Sequence, residues 1–238
     1  MDWQTLAAQL FPQGHDIVEQ DCFLSGTAQV NGTSVTVIGT TGHVAAGIEI
    51  VLAQAQAVLQ TVRSHPQRPI VILVDTQGQR LRHRDEMLGI NSYMAHLGKC
   101  IDLARHHGHK IIGLVYDQAL SGGFITSGLM ADACYALPEA TIRVMGLPAM
   151  ARITKVPEAT LAELAKTNPV FAPGPANYLC MGGIEAIWEG DLATQLAQAI
   201  AATEPIDRRS NLGLVRGGRK LAQCVIEAVL SDGHVRAA

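Results

Sequence analysis

Two runs of consecutive aliphatic and β-branched residues, Ile70 to Val74 and Ile111 to Tyr116, dominate the hydrophobic pattern of this chain. Runs without polar alternation predict strands buried on both faces, as in a parallel sheet covered by helices. The first run is expected to end in a turn at Asp75-Thr76-Gln77-Gly78-Gln79, followed by a long helix from about Asp85 to His107. The second is expected to break at Asp117 to Leu120, where Ser121-Gly122-Gly123 start a small-residue helix reaching roughly Ala131. Upstream, Met1 to Leu10 has the spacing of a short amphipathic helix that ends at Phe11 to His15. Alternation about Asn31-Gly32 predicts a two-residue hairpin with strands near Cys22 to Val30 and Ser34 to Ile38. Helical spacing then runs from about Val44 to Arg63, a packing helix.

Past the second bend, a strand pair is expected at Cys134 to Leu137 and Ala140 to Val144, around Pro138-Glu139. Short helices follow near Ala149 to Ile153 and Pro157 to Thr167, then a loop from Asn168 to Pro175. A helix to Cys180 stops at Met181-Gly182-Gly183. Ile184 to Trp188 reads as a late strand, Asp191 as the cap of a helix to Ala202, and Gly217-Gly218 as the lead into a final amphipathic helix to about Leu230. With no low-complexity tract or linker in view, residues 1–238 are expected to form a single α/β domain with a helical tail.

Composition narrows the function classes. Hydrophobic residues make up 48% of the chain and charged residues 16%, which supplies a packed core and argues against disorder. A net charge of -3 disfavours a broad nucleic-acid surface. No apolar run approaches the ~20 residues that span a bilayer, and the start lacks a signal-peptide plan, so a cytoplasmic, membrane-free protein is expected. Cys22, Cys100, Cys134, Cys180 and Cys224 form no ligand or disulfide pattern and read as reduced thiols.

Candidate chemistry lies at the two bends. Paired glycines let a ligand approach the main chain without meeting a Cβ, and the first amides of a helix have no partners within it. Gly122 and Gly123, faced by Gly78 and Gln79, are therefore the candidate catalytic groups: their amides would receive negative charge on an oxygen. One such donor is worth about 2.7 to 4 kcal/mol in a transition state. Ser121 is a donor or a helix N-cap; Asp75 and Asp117 are acids and bases or turn formers. His106, His107 and His109 lack carboxylate companions and read as helix termination, with no metal site expected. Tyr178 and Cys180 line a pocket or merely pack. Arg80, Arg82, His83 and Arg84 form a basic group beside the first bend, suited to guiding an acidic partner. Arg208, Arg209, Arg216, Arg219 and Lys220 form a second and weaker one.

VDTQG at Val74 to Gly78, followed after a long helix by SGGFITSGLMADACYALPEATIRVM from Ser121 to Met145, resembles the crotonase-fold carboxyltransferases. Within them it is most similar to the malonate decarboxylase gamma-subunit family, over about residues 30 to 230. Gln77 departs from the proline of the DTPG turn that many carboxyltransferases carry.

The resemblance implies a crotonase (ClpP-like) fold, a repeated β-β-α superhelix with a helical C-terminal region. It also implies a hetero-oligomer with a homologous beta subunit and an acyl-carrier protein, and an acyl transferase subunit as a further partner. The implied reaction converts a malonyl thioester, held on the carrier's phosphopantetheine-type arm, to the acetyl thioester and CO₂ through backbone-amide oxyanion holes. No cofactor is expected on this chain itself. Ser121, Phe124, Thr76, Arg80, Arg82 and Arg84 are the expected substrate contacts. Rival readings are a hydratase or isomerase acting on acyl-CoA, a carboxyltransferase subunit of a biotin-dependent decarboxylase or acyl-CoA carboxylase, and a non-catalytic subunit that completes its partner's site. The first is disfavoured because FITSGLMA after Gly123 offers no carboxylate.

Overall fold

A computed structural model describes residues 1–166, 174–204, 206–218 and 221–236. Helix α1 (Trp3–Leu10) is capped by the Asp2 carboxylate, which accepts from the Thr5 amide. Strands β1 (Val18–Gln20), β2 (Phe23–Val30) and β3 (Thr33–Thr40) are antiparallel. At the β2–β3 turn Asn31 and Gly32 both take positive φ, as the two-residue hairpin requires. Then come β4 (Val44–Ala46), α2 (Ile48–Ser64), β5 (Ile70–Gln79), α3 (His83–Met87), α4 (Ile90–His106) and β6 (Ile111–Leu120). Helix α5 (Ser121–Ile125), a 3₁₀ turn at Gly128–Met130, β7 (Ala133–Ala136) and β8 (Thr141–Arg143) complete the central region. The remainder is α6 (Leu147–Thr154), α7 (Glu158–Leu164), α8 (Pro175–Cys180), β9 (Ala186–Ile187), α9 (Leu192–Ala202), α10 (Arg209–Val215) and α11 (Ala222–Arg236).

The main sheet runs β1-β2-β3-β5-β6-β7-β9 and is parallel from β3 onward. Alternation along its two central strands divides the core. Ile70, Ile72, Val74, Ile111 and Val115 pack under α2 and α4. Val71, Leu73, Ile112, Leu114 and Tyr116 face the side covered by α1 and α9. Covering both faces is what permits uninterrupted apolar runs.

Several expectations are corrected. Strands β5 and β6 do not stop at Asp75 and Asp117; each continues through an irregularity in register between Val74 and Thr76. Their outer ends join β4 and β8 in a second parallel ladder, β4-β5-β6-β8. Val44 to Ala46 is therefore strand, and α2 begins only after Gly47. The regions expected as a strand pair, β7 and β8, each pair with β6 instead of with one another. The long helix after the first bend is broken at Gly89, which takes φ 76. The helix after the second bend ends at Ile125, well short of Ala131. Helix α10 was not expected. Most of the loop expected over residues 168–175, and Arg219 and Lys220, lie outside the described residues.

Candidate active site

The second ladder brings the two bends into contact. Thr76 stands beside Ala119 in register, so residues 76–79 lie alongside 119–122. Gly78 takes φ +100, and a Cβ there would meet the Ser121 Cβ at 2.8 Å. A Cβ on Gly123 would meet Thr76 Oγ1 at 3.0 Å and the Gly78 Cα at 3.1 Å. These glycines let one stretch of backbone pack on the other, a tighter requirement than ligand access.

The amides at the bends are not equivalent. Gly122 N donates to Gln79 Oε1 at 3.0 Å, and Gly78 N donates to Thr76 Oγ1 at 3.1 Å. Two of the four expected amide donors, those of Gly122 and Gly78, are thus occupied within the protein. No hydrogen bond among the described residues reaches the Gly123 amide. Gly123 is buried, whereas Gln79, Ser121 and Gly122 are half-exposed. Because α5 has five residues, the helix dipole expected behind these amides is weak, and what remains is individual N–H donors.

Ser121 is the first residue of α5, with φ 50, and Leu120 is the capping residue without a side-chain cap bond. The N-cap reading therefore fails. The Ser121 hydroxyl donates to Gln79 Oε1 at 2.9 Å, so that one oxygen collects two hydrogens. Thr76 is buried; its hydroxyl donates to the Val44 carbonyl at 2.6 Å, which makes it a support of the Gly78 bend. Phe124 is also buried and meets Tyr178 edge-on with ring centroids 6.1 Å apart. Neither has the exposure expected of a substrate contact, because both point into the core beneath α5.

The basic group is largely neutralised. Arg80 bonds Asp85 at 2.8 Å and Glu49 at 2.6 Å, Arg82 bonds Asp85 at 3.0 Å, and Arg84 bonds Glu49. Arg84 holds the Glu49 carboxyl down at about 2, and Arg80 chiefly holds that of Asp85 far below its usual range. The Arg80 guanidinium lies where a Cβ on Gly47 would stand, which explains that glycine. Sequence reasoning missed Glu49 and Asp85, since an acid 31 residues upstream of Arg80 carries no local signal of pairing. In the second basic group, Arg216 donates to the carbonyls of Leu179, Ile184 and Glu185, and Arg209 pairs with Asp207. Those two residues staple the tail.

Near the strand ends, Arg143 and His43 were also missed. Arg143 lies beside Leu120 in the ladder, and its Nε is buried without a hydrogen-bond partner among the described residues. Asp75, buried within β5, accepts from the His43 and Gln118 amides. Burial pushes its carboxyl pKa up. The His43 ring Nε2 lies 3.1 Å from Asp117 Oδ1 and 3.5 Å from Asp75 Oδ1. Among the described residues this is the one grouping of ligand-type atoms close enough to share a cation, though the imidazole itself bridges both carboxylates. The histidines at the end of α4 do otherwise: His106 bonds the Asp102 carbonyl and buried His109 that of Arg68.

A sheet whose central strands cross into a second ladder and end in touching bends is the plan of the crotonase-fold carboxyltransferases. Transcarboxylase 12S shares it with a TM-score of 0.72 at 24% identity, covering 84% of this chain and 41% of that one, a likeness in fold. A Pseudomonas malonate decarboxylase hetero-tetramer in complex with coenzyme A aligns at TM-score 0.79 and 25% identity, over 96% of this chain and 97% of its own. The Pseudomonas MdcD-MdcE hetero-dimer aligns at 0.77 and 26%, with the same coverage. A family model described as malonate decarboxylase gamma subunit matches residues 41–233. The chain belongs to that family. It is also 33% identical to the malonyl-S-ACP:biotin-protein carboxyltransferase of Malonomonas rubra, over 69% of this chain and 63% of the relative. The chain thus spans less than two thirds of that curated relative's length. No helix among the described residues is long and apolar enough to cross a membrane.

Proposed function

We propose that this chain, working as one carboxyltransferase-type domain, is the gamma half of a malonate decarboxylase. With a homologous beta subunit it removes CO₂ from a malonyl thioester presented on the phosphopantetheine-type arm of an acyl-carrier protein. The bond from the α-carbon to the carboxylate breaks, its electron pair passes into the thioester as an enolate, and a proton then returns to carbon to give the acetyl thioester. The barrier falls as far as donors meet the charge arriving on the thioester oxygen. The observation that carries this reading is the contact of the two bends beside a Gly123 amide with no partner among the described residues, in a chain of this family. Co-purified with its beta subunit, the chain should release CO₂ from malonyl-ACP; an intact assembly without turnover would reduce it to a scaffold.

A second reading has support from the Malonomonas relative, whose name describes transfer of the carboxyl group to a biotin protein. Avidin separates the two, since only biotin-dependent turnover is lost on its addition. Full activity in avidin favours direct decarboxylation.

A further inference from the structure

We propose that the donor this chain presents to the substrate from its first bend is the side-chain carboxamide of Gln79, not the Gly122 amide that it covers. The assignment deepens the decarboxylase reading and rests on it for the identity of the oxygen served.

A backbone N–H can only donate, so the Gly122 amide 3.0 Å away requires an oxygen at the position of Gln79 Oε1. The Ser121 hydroxyl, at 2.9 Å, gives that same oxygen a second hydrogen. Two donors at one end of a planar carboxamide fix which end is oxygen and which is nitrogen. The Nε2 group is thereby turned away from Ser121 and Gly122 with both its N–H bonds uncommitted among the described residues. A Cβ on Gly122 would stand 2.7 Å from Gln79 Oε1, so a larger residue there would push the Gln79 carboxamide from its place. The glycine makes room for the side chain that occupies its face. The amide of the next residue, Gly123, also has no partner among the described residues. An N–H donor held beside the developing enolate oxygen lowers the energy of that charge.

Three forms of the gamma chain, each assembled with the beta subunit, decide the matter: wild type and the two variants Gln79→Glu and Gln79→Ala. Gln79→Glu keeps an acceptor for Ser121 and Gly122 and loses both donors. Gln79→Ala uncovers the Gly122 amide. Two readouts are taken: CO₂ release from malonyl-ACP, and binding of a nitroethyl pantetheine thioether whose nitronate mimics the enolate. Both variants are expected to lower kcat by roughly 100-fold or more with little change in KM, and to weaken nitronate binding at least as clearly. A merely structural Gln79 predicts near wild-type values for Gln79→Glu. Wild-type rate and nitronate affinity in an intact Gln79→Ala assembly would overturn the assignment and return the role to Gly122, leaving the decarboxylase reading standing. No CO₂ from wild type, with nitronate binding still lost in the variants, would overturn that reading and keep the assignment. Absence of both turnover and nitronate binding in wild type would overturn both.

Discussion

Glu49 answers two arginines at the start of α2, Arg80 and Arg84, although its side chain is about half exposed. Its folded pKa of about 2 lies below the ordinary 4.5, so the ionised form stabilises the native state above pH 4.5. That contribution is lost as pH falls through about 2. Solvent screens it, so the effect is modest. In Glu49→Gln, the urea midpoint should change less between pH 4.5 and 2 than in wild type; equal slopes would deny the linkage. Arg143 invites a different test, because a buried guanidinium nitrogen without a partner is costly unless an anion meets it. Arg143→Gln should raise KM for malonyl-ACP roughly tenfold without lowering Tm. An unchanged KM would make that nitrogen irrelevant to substrate. The sequence placed the right residues at the bends yet misjudged what several of them do. A motif names neighbours along a chain; it does not say that Thr76 turns under the Gly78 bend or that Phe124 turns into the core.

Elements built on local signals were legible, and those built on distant pairing were not. Asn31-Gly32 made its hairpin and Asp191 caps α9 through the Thr194 amide, each within a few residues. The true lengths of β5 and β6 depend on β4 and β8, and nothing near Asp75 or Asp117 announces those partners. The division of α3 from α4 rests on Gly89, whose left-handed backbone is easy to overlook in an otherwise helical stretch. A side chain there meets no crowding, so the cost of Gly89→Ala should come from its torsion alone, about 1 to 2 kcal/mol by urea denaturation. Gly113 in β6 tests packing instead, since a Cβ there would meet the Gly128 carbonyl oxygen at 2.6 Å. Backbone cannot yield as a flexible side chain does, and Gly113→Ala should cost roughly 1 to 3 kcal/mol. A variant as stable as wild type would mean that the 3₁₀ turn shifts freely.

The C-terminal part of the molecule leaves apolar side chains uncovered: Leu221 is 84% exposed, Val225 62% and Val229 66%. Isolated exposed leucines need no explanation, but Val225 and Val229, four residues apart on α11, suit a surface closed by another subunit. Replacing Val225 and Val229 together by Glu should abolish co-purification with the beta subunit while leaving the circular dichroism and Tm of the chain alone unchanged. Retained co-purification would put the contact elsewhere. The two central strands carry a mechanical consequence. Each continues as one strand from the buried sheet, through the irregularity in register beside Val74 and Thr76, into the ladder that holds a bend. Neither corner can swing like a door on a hinge, because swinging would tear cross-strand bonds along its whole length. The proposed reactive corner is the free end of a stiff cantilever whose shape is set before any ligand arrives, so ordering it would cost little at the moment of binding. The amides of residues 118–120 should then exchange their hydrogens on the clock of global unfolding.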